Sequence, residues 1–231
     1  MNCVAFGIAT FHITVMPPTP PPDWPVPTFT FRVEDVAHPG AIIFFQCIQP
    51  AVDLRGAVLN SFKWLYTPEN VPTNVKSILL VLRSMPGVAH TFGSSTHKEI
   101  HFSLEHINNC ASRAREEILG VLTHEVVHCY QYNAKGQCPG GLIEGVAGRA
   151  INPSSCRSGA PHWKRSPGDK WDAGYEATAY FLEWIEGRYG HGTIQELNES
   201  MKDVEYDERM FKATTGRRVA KLWRLYRADC E

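Results

Sequence analysis

The sequence predicts an α+β protein, with a mixed sheet in its N-terminal part and a mainly helical half after it. Two patterns carry this reading. Up to residue 104 the apolar residues alternate with polar ones or form short runs of branched side chains, as strands require. From residue 112 onward they recur at the three- and four-residue spacing of a helix face. Strands first and helices afterward is the α+β order.

The elements follow in turn. Residues 28–34, TFTFRVE, alternate as a strand, Gly40 closes the next turn, and AIIFFQCI continues in extended form. Residues 51–66 read as a helix carrying Phe62, Trp64 and Leu65 inward. SILLVLR (77–83) is a strand ended by Pro86-Gly87, and KEIHFSL (98–104) is the next, with Ile100, Phe102 and Leu104 on one face. Ser112 is a candidate cap for a helix running to about Asn133, with Glu116 and Glu117 well placed for its dipole and Ile118, Leu119, Leu122 and Val126 forming an apolar stripe. Further helices are expected from Pro139-Gly140 to about Ala150, over 169–188, over 194–201, and over 217–228 with Val219, Leu222, Trp223 and Tyr226 inward.

Composition bounds the function. The chain has 231 residues, 43% hydrophobic and 20% charged, with a formal net charge of -1. That suits one ordered domain over 28–231, preceded by an N-terminal segment (1–27) whose PPTPPPDWPVP stretch is an extended arm. No positive field exists to hold nucleic acid, and no apolar run is long enough to span a membrane. Seven cysteines without a C-x-x-C pair indicate neither a redox motif nor a cysteine-rich zinc knuckle; Cys138 and Cys156 are candidates for a bridge, with small buried thiols the plainer alternative.

The chemistry lies in HEVVH at 124–128. His124 and His128, four apart on a helix, present both imidazoles on one face and can grip one Zn2+, while Glu125, one step round, can act as general base toward a water. The plainer alternative is a histidine pair on a surface helix. A catalytic zinc needs a third protein ligand, and no histidine stands where an H-x-x-G-x-x-H extension would put one. Glu144, on the next helix beyond Gly136, Pro139, Gly140 and Gly141, is the first candidate; Asp169, Asp172, Glu176 and His162 are rivals. An oxyanion needs a donor beyond the metal, and Tyr175 leads Tyr180, Tyr130 and His162 for that task, although periodicity alone favours a core tyrosine.

These residues resemble a known family. GVAHTFGSSTHKEIHFS (87–103), EILGVLTHEVVHCYQYNAKGQCPGGLIEGVAG (117–148) and WDAGYEATAYFLEW (171–184), then ELNESM (196–201) and GRRVAKLWRLY (216–226), are similar in order to the basic secretory proteins of plants and microbes, a group of zincin-like zinc peptidases with glutamate as third metal ligand. The resemblance implies a zincin-like domain with one catalytic zinc on His124, His128 and Glu144, Glu125 as base, Tyr175 in its W-D-x-G-Y block as oxyanion donor, and a peptide or protein substrate along the strand containing His101. The family pattern carries an Asp four residues after the third ligand; here that place is Gly148. A catalytically weak relative acting as a binding or defence protein is the second reading, and a small-substrate amidase the third. The family implies secretion, but residues 4–15 meet only part of a signal pattern, so the cytoplasm stays open.

Overall fold

The computed structural model describes residues 23–150 and 168–230. The candidate signal segment, most of the proline-rich arm, Cys3, His162 and the Cys156 half of the candidate bridge lie outside them.

Four strands, β1 (Thr28–Val33), β2 (Ser77–Arg83), β3 (Ala89–Gly93) and β4 (His97–Ser103), form one sheet in the order β1-β2-β4-β3. β1, β2 and β4 are parallel, and β3 runs antiparallel to β4 at the edge. The sheet is mixed, as the sequence predicts. Alternation sets its inner face: Phe29, Phe31 and Val33 stand in register with Ile78, Leu80 and Leu82, and Leu80 and Leu82 with Ile100 and Phe102. The β2 and β4 members of these rows are completely buried.

The expectation that AIIFFQCI is extended is wrong. These residues lie in α1 (Pro39–Cys47) and its C-terminal cap, and α2 (Pro50–Leu65) follows after a 71° bend. The physical reason is topological. β1 and β2 are adjacent and parallel, so the chain must return across the sheet, and a helical crossover does this. Local chemistry agrees: Pro39 occupies the first turn and His38 Nδ1 accepts from Gly40 N at 3.0 Å. Gly40 therefore opens a helix and does not close a turn.

Leu104 is likewise not a strand residue. It begins α3 (Leu104–Asn109), which Ser103 caps through its side chain. The next helix, α4 (Ala114–Tyr130), carries HEVVH. Its cap differs from the expected one: Ser112 sits in a preceding 3-10 turn, and Arg113 takes the cap position without a side-chain bond. Glu116 and Glu117 do occupy the first turn. Ile118, Leu122 and Val126 are completely buried, each contributing about 1.5–3 kcal/mol by burial. At the far end the Tyr66 hydroxyl donates to the Tyr130 carbonyl at 2.6 Å, satisfying an acceptor that the helix terminus leaves without an intrahelical partner.

The remaining helices are α5 (Gly140–Ala150), α6 (Tyr175–Tyr189), α7 (Thr193–Ser200), α8 (Arg209–Thr215) and α9 (Val219–Cys230). α9 buries Val219, Leu222, Trp223 and Tyr226, as its period predicts. α6 is shorter than expected: residues 169–174 form turns, and the helix begins at Tyr175. Among the described residues no single helix is long and apolar enough to cross a membrane.

α5 matters most for the site, and three neighbours fix it. Leu142 and Val146 are buried against the core. Trp64 of α2 donates Nε1 to the Val146 carbonyl at 3.1 Å and carries the Arg149 guanidinium 5.1 Å from its ring centre. On the other side α6 comes unusually close, because Gly141 faces the Asp172 carbonyl and Gly145 faces the Thr178 side chain with no room for a Cβ at either. Gly145→Ala should therefore overpack the α5–α6 contact and destabilise the protein by about 1–3 kcal/mol, seen as a lower urea midpoint with an unchanged m value.

Candidate metal centre

The i,i+4 spacing on α4 does what it predicts. His124 and His128 point the same way, with Nε2 atoms 3.0 Å apart. α5 delivers Glu144 to the same point, its Oε2 lying 3.0 Å from His124 Nε2 and 3.7 Å from His128 Nε2. All three side chains are half-buried. Among the described residues this is the single cluster of three or more histidine, cysteine or acidic side chains capable of holding a metal ion. Of the rival ligands, Asp172 pairs with Lys170 at 3.6 Å, and neither Asp169 nor Glu176 joins the cluster. His101 and His106 are engaged elsewhere, by Glu99 and Glu117.

The donor set fits a zinc ion. A neutral imidazole supplies one N–H, yet His124 Nε2 has a carboxylate oxygen on one side and a second ring nitrogen on the other. One proton cannot serve both contacts, whereas a central cation satisfies three inward lone pairs at once. Ligand atoms on one tetrahedral zinc stand roughly 3.3 Å apart, and the observed separations bracket that spacing. Two imidazoles and one carboxylate also leave a fourth position open. The neighbouring imidazoles, His124 first and then His128, hold the Glu144 carboxyl down to about 2, so it is ionised at neutral pH.

Around this core stand the other predicted residues. Glu125 is buried, with 5% of its surface exposed, on the side of α4 toward β3. Tyr175 is not the core aromatic that periodicity favours: it is 58% exposed, and its ring lies nearly parallel to His124, 9° apart with centroids at 6.4 Å. The backbone explains this placement. Gly174 has φ +92° and Tyr175 itself φ +42°, a left-handed conformation rare for an aromatic residue, and the turn is pressed against Gly141 and the Glu144 Cβ. The nearby Glu144 carboxylate, then burial, then Glu125 raise the Tyr175 phenol, which keeps it protonated and a donor. Tyr130, a weaker candidate for that task, packs in the core against Phe62.

Two neighbours were not anticipated. Thr91 of β3 reaches Glu125, and Gln131, just past α4, reaches His128 Nδ1 at 3.0 Å. Single polar residues carry no motif, so only the sheet order and the helix end reveal them. One sequence expectation is corrected here: the strand containing His101 is β4, which is internal; among the described residues the edge strands are β1 and β3, and β3 is the one that reaches Glu125.

Residues 26–226 match the family described as BSP, peptidase of plants and bacteria. The chain belongs to that family. Comparisons with curated proteins and with solved structures give no match. In this peptidase-family chain the zincin-like α+β arrangement, a mixed sheet followed by helices with the histidine pair on α4, carries the His–His–Glu cluster on two helices that the fold holds together.

The atom placed against His128 Nδ1 is the Gln131 amide nitrogen, while its Oε1 is buried without a hydrogen-bond partner among the described residues; metal binding at His128 Nε2 requires the ring proton on Nδ1, and turning the amide over lets that oxygen accept it. Gln131→Leu should therefore weaken metal-ion binding at the cluster by about 10- to 100-fold, measured by chelator competition, with little change in the unfolding temperature of the metal-free protein.

Proposed function

We propose that this protein is a zinc-dependent peptidase that hydrolyses peptide bonds in protein or peptide substrates. The observation that carries the reading is the convergence of His124, His128 and Glu144 on one point, with Glu125 alongside, in a chain that belongs to a peptidase family. His124, His128 and Glu144 would hold one Zn2+, which would supply Lewis-acid chemistry toward a water and the scissile carbonyl. Glu125 orients the attacking water, takes its proton as the water oxygen bonds to the carbonyl carbon, and passes that proton to the leaving amine as the C–N bond breaks. The Tyr175 phenol, kept protonated beside Glu144, donates to the oxyanion. β3, an edge strand among the described residues, offers backbone groups to an extended substrate, the role first assigned to the His101 strand.

A second reading keeps the fold and loses the turnover, leaving a binding or defence protein. Gly148 favours it. This buried position on α5 lacks the carboxylate of the family pattern, and among the described residues the hydrogen bonds of His124 run through Nε2 alone.

Two measurements separate the readings. Freshly purified protein should contain one zinc per chain and cleave an unstructured protein such as casein. Glu125→Gln should keep the zinc and lose about 100- to 10,000-fold in kcat; a wild type that cleaves nothing would establish the second reading, and absence of zinc would remove the peptidase reading. Tyr175→Phe should lower kcat by about 100-fold with KM nearly unchanged, since it removes a bond made only to the oxyanion. An equal rise in KM would assign Tyr175 to substrate binding instead.

A further inference from the structure

We propose that Thr91 is a positioning residue for Glu125, so that the free edge strand holds the catalytic base. The inference rests on the peptidase reading above and adds a residue that the metal motif does not contain. Thr91 is half-buried in the middle of β3, opposite Ile100 of β4, with its side chain on the face toward α4. Its Oγ1 lies 2.6 Å from Glu125 Oε2 and 3.0 Å from the carbonyl oxygen of the same residue. A threonine hydroxyl has one proton to give. The shorter contact has the length of a charge-assisted O–H···O⁻ bond, so the carboxylate takes it.

The need for such a bond follows from the surroundings of Glu125. Its side chain is nearly enclosed, and among the described residues no arginine, lysine or histidine pairs with it and no other side chain donates to it. A glutamate has several rotatable bonds and does not by itself stay in line with a water. Thr91 occupies Oε2 and leaves Oε1 to face the water. Through the reaction Oε1 gains the water proton and later yields it to the amine, while the Thr91 O–H bond to Oε2 is kept; Thr91 neither loses nor gains a proton. The geometry also joins two functions. Main-chain pairing of a substrate along β3 and alignment of the base depend on the same five-residue strand.

The test uses the zinc-loaded full chain. Thr91→Val keeps the shape and removes the donor; Thr91→Ala stands in should the extra methyl disturb β3; Thr91→Ser restores the hydroxyl. Zinc content, kcat and KM on a casein-derived peptide, and urea unfolding are measured for each, with Thr91→Val also made in a Glu125→Ala background. We expect Thr91→Val to bind zinc normally and to lose about 10- to 100-fold in kcat with KM within about twofold, and Thr91→Ser to recover most of the rate. The unfolding cost of Thr91→Val should vanish when Glu125 is alanine. Wild-type kcat in Thr91→Val, or a serine variant as slow as the valine one, overturns the proposal while the peptidase reading stands. A wild type that binds zinc and cleaves nothing removes that reading and Thr91's positioning role with it.

Discussion

The structure around the site depends on one constraint: three lone-pair-bearing atoms are held within 3.0 to 3.7 Å of one another. Without a proton or a cation between them such atoms repel, so the packing behind them must supply the difference. α4 is anchored by its buried stripe and by the Tyr66 bond at its end. α5 is held by Trp64 on one side and by glycine contacts with the α6 region on the other. Helix packing here sets the geometry of the three side chains, and preorganisation of this kind lowers the cost of binding an ion.

The same glycines explain Tyr175. A Cβ at Gly141 would drive the 172–174 turn away from α5, and that turn leads directly into the left-handed Tyr175. The close approach that places Glu144 thus also places the phenol over His124. Ligand and donor positions share one packing contact, so a change that loosens it moves both.

Much of this was legible in the sequence because its signals are local. The imidazoles of HEVVH share a face by helical period alone. Glu144 followed from an apolar stripe and a glycine-rich reversal. The errors have a common physical cause, which is that pairing between distant segments decides the outcome. AIIFFQC has the branched and aromatic residues of a strand, yet the parallel partnership of β1 and β2 demands a crossover there. β3 is only five residues long and gains its identity from pairing with β4, so nothing within AHTFG announces it. Its absence from the sequence reading moved the free edge onto the wrong strand and hid Thr91. α6 looked longer because WDAG continues an apolar rhythm, whereas the positive φ of Gly174 breaks it.

The two histidines are supported unequally, and this bears on what Gly148 costs. Gln131 reaches the outer nitrogen of His128, while position 148, on the third-ligand helix, has no side chain to offer. The base is supported from the opposite direction, by Thr91 on the sheet. Its carboxylate therefore keeps its alignment whatever occupies position 148. The missing carboxylate weighs on ion retention, through the freedom it leaves to an imidazole, and not on proton transfer by Glu125. On the peptidase reading, a chain built this way would lose metal before its catalytic geometry, so zinc occupancy and turnover have to be read separately in it.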